Sequence, residues 1–501
     1  MEKNCPKEAE TGRSAFLYVT LFSLVLFASL FFRLVEPGLA GYEKSYFRNG
    51  LRSFVSIALL LDGASFLILI GVVPFHAKRI GFAWGLVAVT GLSVLLNLAL
   101  FRPSNDSWAL RELSFTTSIQ NTFSGEAFEI RSFREYPSEH VALARRGYNA
   151  ATVNRRRLTT YPPGLPMLYY VVYRATSPLD GALDRLSKLN FTSEEEFKKA
   201  LPLEYRRNFP AAAAFSILHI LAFALAVVLA GLAGWEFSGG DKTKSLMVAA
   251  AMAAIPSFTL YNVSESMLFV PLPLLALYLH AKFAERVRLT PFVLGVLYGG
   301  ALFFSLAFLP LILFHMCFLI LDAENWKQRF SKLLFFALGG GVAAFSQYLI
   351  FGYNSVAMVF LAISNNREFY SICSRAYHLS LPCNLYEFVL MSGVAWGVWA
   401  SMAIPNAKPS AVKNWFANSE ESPVRDKILP LFLLVFALLI LSGSVRGEVG
   451  RNWMCLMPLL VLGVVLRDSF DKRWFALCYG ISAAALFAES IFLEVVFNYW
   501  I

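Results

Sequence analysis

Apolar segments long enough to cross a membrane recur along almost the whole chain of 501 residues. About 20 apolar residues in an α-helix span the roughly 30 Å of hydrocarbon in a bilayer, where only helices or closed barrels satisfy their backbone hydrogen bonds. With 57% hydrophobic and 16% charged residues, the composition lies outside that of soluble globular proteins. The sequence therefore predicts an all-α polytopic membrane protein with no separate soluble domain beyond its loops.

The apolar segments predict about thirteen transmembrane helices. The two segments between 290 and 322 are also compatible with one long helix, or with a tight hairpin divided near Pro310. The first segment lacks a cleavage site of small residues, so we interpret it as a retained helix and not as a signal peptide. The predicted spans are 15–35, 54–75, 82–101, 210–235, 244–260, 266–283, 290–305, 307–322, 333–351, 385–403, 428–443, 453–466 and 474–497.

Basic residues in the short loops predict the orientation, because Lys and Arg in such loops favour the cytoplasmic side. With thirteen spans, all the basic short loops fall on one side together with the N-terminus. The insert 102–209 and the loops 361–387 and 444–453 then share the extracytoplasmic side. The net charge of +10 is mostly a signal of this topology, and nucleic acid is not an expected partner. The basic short loops are 76–79, 242–244, 282–288, 327–332, 408–427 and 467–473.

This topology divides the chain into three parts. They are the N-terminal helices and cytoplasmic tail (1–81), a membrane module that includes the insert (82–351), and the C-terminal helices with their outer loops (352–501). Two of the six cysteines, Cys373 and Cys383, fall in one outer loop, where an oxidising compartment allows a disulfide. Two unpaired thiols remain the alternative.

Ionisable residues inside the predicted spans are few and lie on different helices. We interpret them as polar groups that face the bundle interior or the interface, because single charges on separate helices do not outline an ion pathway. The concentrated polar residues lie in the outer loops instead. The intramembrane residues concerned are Asp62, His219, His315, Glu489 and Glu494.

The polar insert begins with an acid, Asp106, just after the span that ends at Phe101. A carboxylate at the membrane boundary is suited to deprotonate an acceptor beside a lipid phosphate. The alternative is that Asp106 caps a helix beginning near Ser107. Glu126 and Glu129, further along the insert, remain other candidates for the base.

A rigid turn lies later in the insert, where Tyr161, Pro162, Pro163 and Gly164 precede an aromatic, apolar segment. Paired prolines fix the backbone, and the segment that follows is expected to lie along the membrane surface as a helix. The arginine run 155–157 stands immediately before this turn. Arginines at the depth of the lipid headgroups suit bidentate phosphate binding, although a general contact with anionic lipid explains them as well.

These features together resemble the GT-C superfamily of integral membrane glycosyltransferases. The resemblance covers about residues 82–470 as a pattern of features, and no single motif in it is as specific as a metal-binding cysteine cluster. Besides the acid and the Pro-Pro turn, it is carried by three segments: Arg207-Asn208-Phe209-Pro210, Ile255-Pro256-Ser257 with Ser264-Glu265-Ser266, and Arg446-Gly447-Glu448-Val449-Gly450-Arg451-Asn452-Trp453 before Met457-Pro458.

The resemblance implies roles for individual residues. Asp106 would be the general base, and Arg446, Arg451 and Arg157 would bind the phosphate of a polyprenyl- or dolichyl-phosphate sugar. Glu448 would contact the sugar or orient an arginine, and Glu265 would belong to the same pocket. The stretch from Tyr161 through Pro162 and Pro163 to Gly164 would shape that pocket.

The chain departs from the family pattern in two ways. Two additional helices precede the acid-bearing insert, and no Asp-x-Asp or Asp-Glu pair occurs there, only Asp106 followed by Glu112. The absent pair weakens the case for a divalent metal, so no cofactor is expected, although the motif does not exclude a metal.

The expected reaction is an inverting transfer of a hexose such as mannose, or of a pentose, to a glycan, lipid or protein acceptor. The expected location is a bacterial or archaeal plasma membrane, or the endoplasmic reticulum of a eukaryote, with the active site extracytoplasmic. A lipid or glycolipid transporter is the rival class, but it is expected to show related halves, and no internal repeat is present. A non-catalytic scaffold is the other rival.

Overall fold

The protein is described here by a computed structural model. It describes residues 69, 73–100, 122–149, 151, 157–179, 209–261, 264–372, 376–403, 424–447, 449–467, 479–483, 485–486 and 489–490. These residues are mostly helical and contain no strand, which confirms the all-α prediction for this part of the chain. The predicted spans 15–35, most of 54–75 and most of 474–497 lie outside it.

We label the helices of eight residues or more in chain order. They are α1 (Phe82–Leu100), α2 (Thr122–Glu129), α3 (Tyr136–Arg145), α4 (Gly164–Thr176), α5 (Phe209–Phe237), α6 (Lys242–Ala253), α7 (Pro271–Lys282), α8 (Leu289–Ala301), α9 (Leu309–Leu321), α10 (Trp326–Phe351), α11 (Ser355–Ile372), α12 (Tyr377–Ser392), α13 (Val394–Ala403), α14 (Ile428–Ser442) and α15 (Met457–Val465).

Several predicted spans are interrupted. The span 244–260 breaks before Pro256, which begins a short helix because it has no N–H to continue the preceding one. The span 385–403 breaks at Gly393, whose φ of 102° is a conformation that favours glycine. The segment 290–322 forms two helices, α8 and α9, and the break at 302–308 precedes Pro310. Pro310 instead occupies the first turn of α9.

Two of the described helices are long and apolar enough to cross a membrane, Ala214–Phe237 within α5 and Trp326–Phe351, which is α10. They support the prediction of a membrane protein, while the count of thirteen spans and the orientation remain predictions. α10 also carries exposed apolar side chains along its whole length, from Trp326 (75% exposed) to Leu349 (61% exposed). An apolar face of this length needs a lipid or protein partner.

Glycines bring α8 and α10 into close contact. A Cβ added at Gly295 would lie 2.0 Å from the carbonyl oxygen of Phe336, and one added at Gly339 would lie 2.0 Å from that of Phe292. Small residues allow this backbone approach, which is a common basis of helix pairing in membranes. Gln347 adds a hydrogen bond across the pair, from Nε2 to the Gly299 carbonyl at 3.0 Å.

The main core lies around α5, α6 and α7, and α15 packs against α6. The insert helices pack on one side of this core, where Tyr169 of α4 stacks on Phe215 of α5 with ring centroids 3.9 Å apart. The segment 361–387, predicted as an outer loop, is largely helical and belongs to α11 and α12. These two helices bring the insert and the C-terminal part of the chain together.

Candidate functional site

A cavity of about 780 Å³ lies between the insert, α11, the end of α14 and residues 443–453, which we call the arginine loop. Four of the residues predicted from the sequence to form the site line it, although they are far apart in the chain: Tyr161, Glu265, Arg446 and Arg451. Arg367 of α11 is a third cation in the lining, and Glu265 is the one carboxylate among the described lining residues. Among the described lining residues, positive charge is therefore in excess.

Arg451 and Glu265 form an ion pair in this wall. Arg451 Nη1 lies 3.9 Å from Glu265 Oε1, and both side chains are almost buried, with 8% and 12% exposed. Glu265 begins the short helix Glu265–Phe269, which a turn at Ser264 sets at the cavity. The Glu265 carboxylate thus helps to orient the Arg451 guanidinium at the cavity.

Arg446 rests on aromatic rings at the cavity. Its guanidinium carbon lies 5.1 Å from the centroid of Tyr370 and 5.7 Å from that of Tyr377, within the range of cation–π attraction. The backbone N–H of Arg446 donates to Tyr370 Oη at 3.0 Å, and this hydroxyl donates to the Ser444 carbonyl at 3.3 Å. The rings thus hold both the backbone and the side chain of Arg446.

Polar side chains of α12 fix the rest of the arginine loop. Asn384 donates from Nδ2 to the Val445 carbonyl at 2.7 Å and accepts from the Gly447 N–H at 2.9 Å. Glu387 accepts from the Gly450 N–H at 3.0 Å. Because an amide that bonds both sides of a turn defines its shape, these contacts preorganise the two arginines.

The Tyr161 turn docks on the segment between α8 and α9. The Gly164 N–H donates to the Phe303 carbonyl at 2.9 Å, and a Cβ at Gly164 would lie 2.4 Å from that oxygen. Tyr161 and Thr160 line the cavity, whereas Pro162, Pro163 and Gly164 are buried and do not line it. The Pro-Pro-Gly stretch therefore positions Tyr161 and does not itself form the pocket surface.

Replacing Gly164 by Ala is expected to destabilise the protein by about 1–3 kcal/mol and to lower activity, because the new methyl group meets backbone and cannot be relieved by rotating a side chain. Thermal unfolding of the purified protein in detergent measures the effect. Gly125→Ala in α2 is the control, because a Cβ there has no neighbour within 4 Å. Equal unfolding temperatures for the two variants would contradict this docking.

His140 of α3 supports the same turn from within the insert. Its Nε2 lies 2.8 Å from the Tyr161 carbonyl, and its Nδ1 lies 3.2 Å from Tyr136 Oη. The neutral imidazole satisfies both contacts when Nε2–H donates and Nδ1 accepts. Burial lowers the pKa of His140 from 6.5 to about 4, although hydrogen bonds to the Tyr161 and Leu158 carbonyls oppose the shift. His140 is therefore neutral at pH 7.

This lowered pKa predicts that acid weakens the fold. Between pH 6.5 and about 4 the unfolded chain binds a proton that folded His140 does not, so stability falls as the pH decreases through this range. The total loss is about 3 kcal/mol, and no loss from this group is expected above pH 6.5. Unfolding temperatures measured from pH 7.5 to pH 4.5 test this. The variant His140→Gln should show a smaller dependence on pH, and an unchanged dependence would contradict it.

Part of the cavity lining is apolar. This part, which we call the apolar slot, is contributed by α9 and α14, and two of its residues, Leu313 and Leu438, are 41% and 49% exposed. Its lining on these two helices is Leu309, Pro310, Leu313, Val435, Leu438 and Leu439.

α11 provides both packing residues and lining residues. Asn365 is buried and donates to the carbonyls of Ala144 and Thr159 at 2.9 and 3.0 Å, so it ties α11 to the insert. Its neighbours Asn366, Arg367, Phe369 and Tyr370 line the cavity. Asn365 therefore packs on the insert, whereas the other four residues face the cavity.

Several predicted residues lie outside the described part of the chain. They are Asp106, Glu112, Glu448 and Cys373, and for Arg157 only the backbone is described, as the first residue of the short helix Arg157–Thr160. The base role of Asp106 therefore remains a prediction. Cys383 lies on α12 as a free thiol, which supports the alternative of an unpaired cysteine over the disulfide. The two other candidate bases are described: Glu126 is buried in α2 and Glu129 is exposed, and neither lines the cavity.

Of the intramembrane residues, Asp62 and Glu494 lie outside the described part of the chain, whereas His219, His315 and Glu489 lie within it. His219 and His315 are fully buried, and His315 Nδ1 lies 3.1 Å from Tyr298 Oη. Glu489 is buried and accepts from the Val394 N–H at 3.1 Å, next to the break at Gly393. These contacts support the interpretation that such groups face the bundle interior.

Within the described ranges, no group of three or more His, Cys, Asp or Glu side chains is arranged to hold a metal ion. Comparisons of the chain with protein-family models, curated proteins and solved structures gave no match. The function is therefore inferred from the cavity and from the residues that form it.

Proposed function

We propose that the protein is a multi-pass membrane glycosyltransferase of the GT-C type. In this proposal it transfers a hexose or pentose from a polyprenyl-phosphate donor to an extracytoplasmic glycan, lipid or protein acceptor. The observation that carries the proposal is the chemistry of the cavity described above. Its lining combines the cations Arg446, Arg451 and Arg367 with the apolar slot of α9 and α14.

A polyprenyl-phosphate sugar likewise combines a charged group with an apolar chain. Its phosphate carries negative charge, which guanidinium groups bind in bidentate fashion, and its isoprenoid chain is apolar and lies in the bilayer. The slot between α9 and α14 suits the first isoprene units, and the arginine loop suits the phosphate. A water-soluble sugar nucleotide has no isoprenoid chain to place against the apolar slot, so this lining favours a lipid donor.

The position of α1 supports Asp106 as a partner of this cavity. Asn97, near the end of α1, donates to the Phe258 carbonyl at 3.5 Å, and the adjacent Ser257 hydroxyl donates to the Gly450 carbonyl in the arginine loop. The end of α1 thus belongs to the same end of the bundle as the arginines, and Asp106 follows Leu100 by six residues. This chain connection allows the acid to reach the cavity.

The proposed reaction is a single displacement. Asp106 accepts the proton of an acceptor hydroxyl, the oxygen attacks the anomeric carbon, and the bond from that carbon to the phosphate oxygen breaks. Polyprenyl phosphate leaves with the bonding electron pair, and Arg446 and Arg451 stabilise its charge. The anomeric configuration inverts, and no covalent enzyme intermediate forms.

Membranes that contain the protein, supplied with a radiolabelled polyprenyl-phosphate mannose or pentose, test the proposal. We expect a labelled product with a new glycosidic bond, and we expect sugar-free polyprenyl phosphate to compete while sugar nucleotides do not. Movement of the donor across the membrane without a new bond would identify a flippase instead. No transfer and no movement with any such donor would contradict both functions.

A further inference from the structure

A second group of charged residues lies at the end of α9, where α10 and α14 begin. We call it the basic ledge and define it as residues 322–332 and 424–427, which contain five basic and three acidic residues. α9 ends there at Leu321. It shares no residue with the cavity lining. By the predicted topology this end is cytoplasmic.

Two buried lysines satisfy the last carbonyls of α9. Lys427 is 2% exposed and donates from Nζ to the Leu321 carbonyl at 2.7 Å. Lys332 is 3% exposed and donates to the Asp322 carbonyl at 3.1 Å and to Asp322 Oδ2 at 2.6 Å. The same carboxylate oxygen lies 3.2 Å from His280 Nε2. Asp322 Oδ2 is therefore shared between Lys332 and His280, while Lys427 donates to a neutral carbonyl oxygen.

Arg329 lies beside these lysines and lacks a partner. In the described part of the chain its guanidinium forms no hydrogen bond or ion pair, and its Nε is buried. It precedes Lys332 by one helical turn on the same face of α10. A partly buried guanidinium without an acceptor is costly unless a ligand supplies one.

The start of α10 adds to the positive potential of the ledge. α10 has no acidic residue in its first turn. The N-terminus of a helix attracts anions through its free N–H groups and its dipole. Trp326 and Phe330, 75% and 63% exposed, flank Arg329, and exposed aromatic side chains at the end of a membrane helix mark headgroup depth.

We propose that the basic ledge binds the phosphate of an anionic membrane lipid, with Arg329 as its principal ligand. A lipid phosphate at headgroup depth supplies the acceptors that Arg329 lacks and offsets the net positive charge of the basic ledge. The proposal rests on the membrane location of α10 and is independent of sugar transfer. It is therefore tested separately from the proposed transferase.

The test uses the full-length, delipidated protein titrated with phosphatidylglycerol, phosphatidylcholine or inorganic phosphate and observed by native mass spectrometry. We expect preferential binding of phosphatidylglycerol, weakened about tenfold by Arg329→Gln. Arg286→Gln is the matched control, because Arg286 is an exposed cation on the same predicted side of the membrane. It should leave binding unchanged.

Other outcomes would overturn the proposal. Equal losses in both variants would indicate diffuse charge attraction without a site, and no loss in Arg329→Gln would exclude the named ligand. Displacement of the lipid by inorganic phosphate at similar concentration would assign the site to a soluble anion. If Arg329→Gln does not fold, Arg329→Lys retains the charge and should bind more weakly than wild type by less than tenfold.

Discussion

Replacing Asp106 by Asn is expected to lower the rate of sugar transfer by about 10²- to 10⁴-fold, the range that general-base catalysis typically contributes. Asn has nearly the same shape but cannot accept the acceptor proton, so the loss should appear in kcat. Binding of the lipid donor should change little, because the phosphate is assigned to arginines. The measurement is the transfer rate in membranes at saturating donor, with donor affinity determined in parallel.

Two controls separate catalysis from folding in this experiment. Glu129→Gln removes a carboxylate from the same insert at an exposed position that does not line the cavity, and it should leave transfer unchanged. Thermal unfolding should show that the free energy of unfolding of Asp106→Asn lies within about 0.5 kcal/mol of the wild-type value. Wild-type transfer by Asp106→Asn would refute its role as the base and would make Glu265, the carboxylate among the described lining residues, the next candidate.

Replacing Arg451 by Gln is expected to lower transfer by about 10²- to 10³-fold, because the variant lacks a charged donor where negative charge develops on the departing phosphate. The same change leaves Glu265 without its ion-pair partner in a nearly buried position, so stability should also fall by about 1–3 kcal/mol. Activity and stability must therefore be measured separately for this variant, by transfer assay and thermal unfolding.

A double variant distinguishes the two consequences. Arg451→Gln combined with Glu265→Gln removes both charges, so stability should recover in part while transfer stays low. Arg451→Lys keeps the charge without the bidentate geometry and should retain intermediate activity. If the double variant regained wild-type transfer, Arg451 would act only by balancing Glu265, and its proposed role toward the phosphate would be wrong.

The sequence predicted the helical class well because apolar composition is a local and strong signal. It located helix ends less well, since Pro256 and Gly393 interrupt segments whose hydropathy is continuous. The segment 361–387 was predicted as a loop because its polar residues resemble those of loops. In the structure those residues lie on α11 and α12 and bond to other segments.

The site was predicted in part. Tyr161, Glu265, Arg446 and Arg451 were selected through a family resemblance, and all four line one cavity. The prediction could not separate Tyr161 from the buried prolines behind it, because exposure depends on how the turn docks.

The residues that hold the site were not identified from the sequence. His140 bonds to the backbone of the Tyr161 turn, and Asn384 and Glu387 bond to the backbone of the arginine loop. In each case the two partners lie well apart in the chain. No spacing rule connects an amide on one helix with the carbonyl it will meet on another, so only the three-dimensional structure reveals these partners. Arg329 is a further case, because the sequence marks it only as one of several cations in a short loop.

The most direct test of the central claim is a cryo-electron microscopy structure of the full-length protein in nanodiscs with a bound polyprenyl-phosphate sugar. We predict phosphate density within hydrogen-bonding distance of Arg446 and Arg451, isoprenoid density between α9 and α14, and the Asp106 carboxylate within about 15 Å of the same phosphosugar. Phosphate bound elsewhere, or Asp106 on the opposite side of the membrane from the arginine loop, would contradict the account.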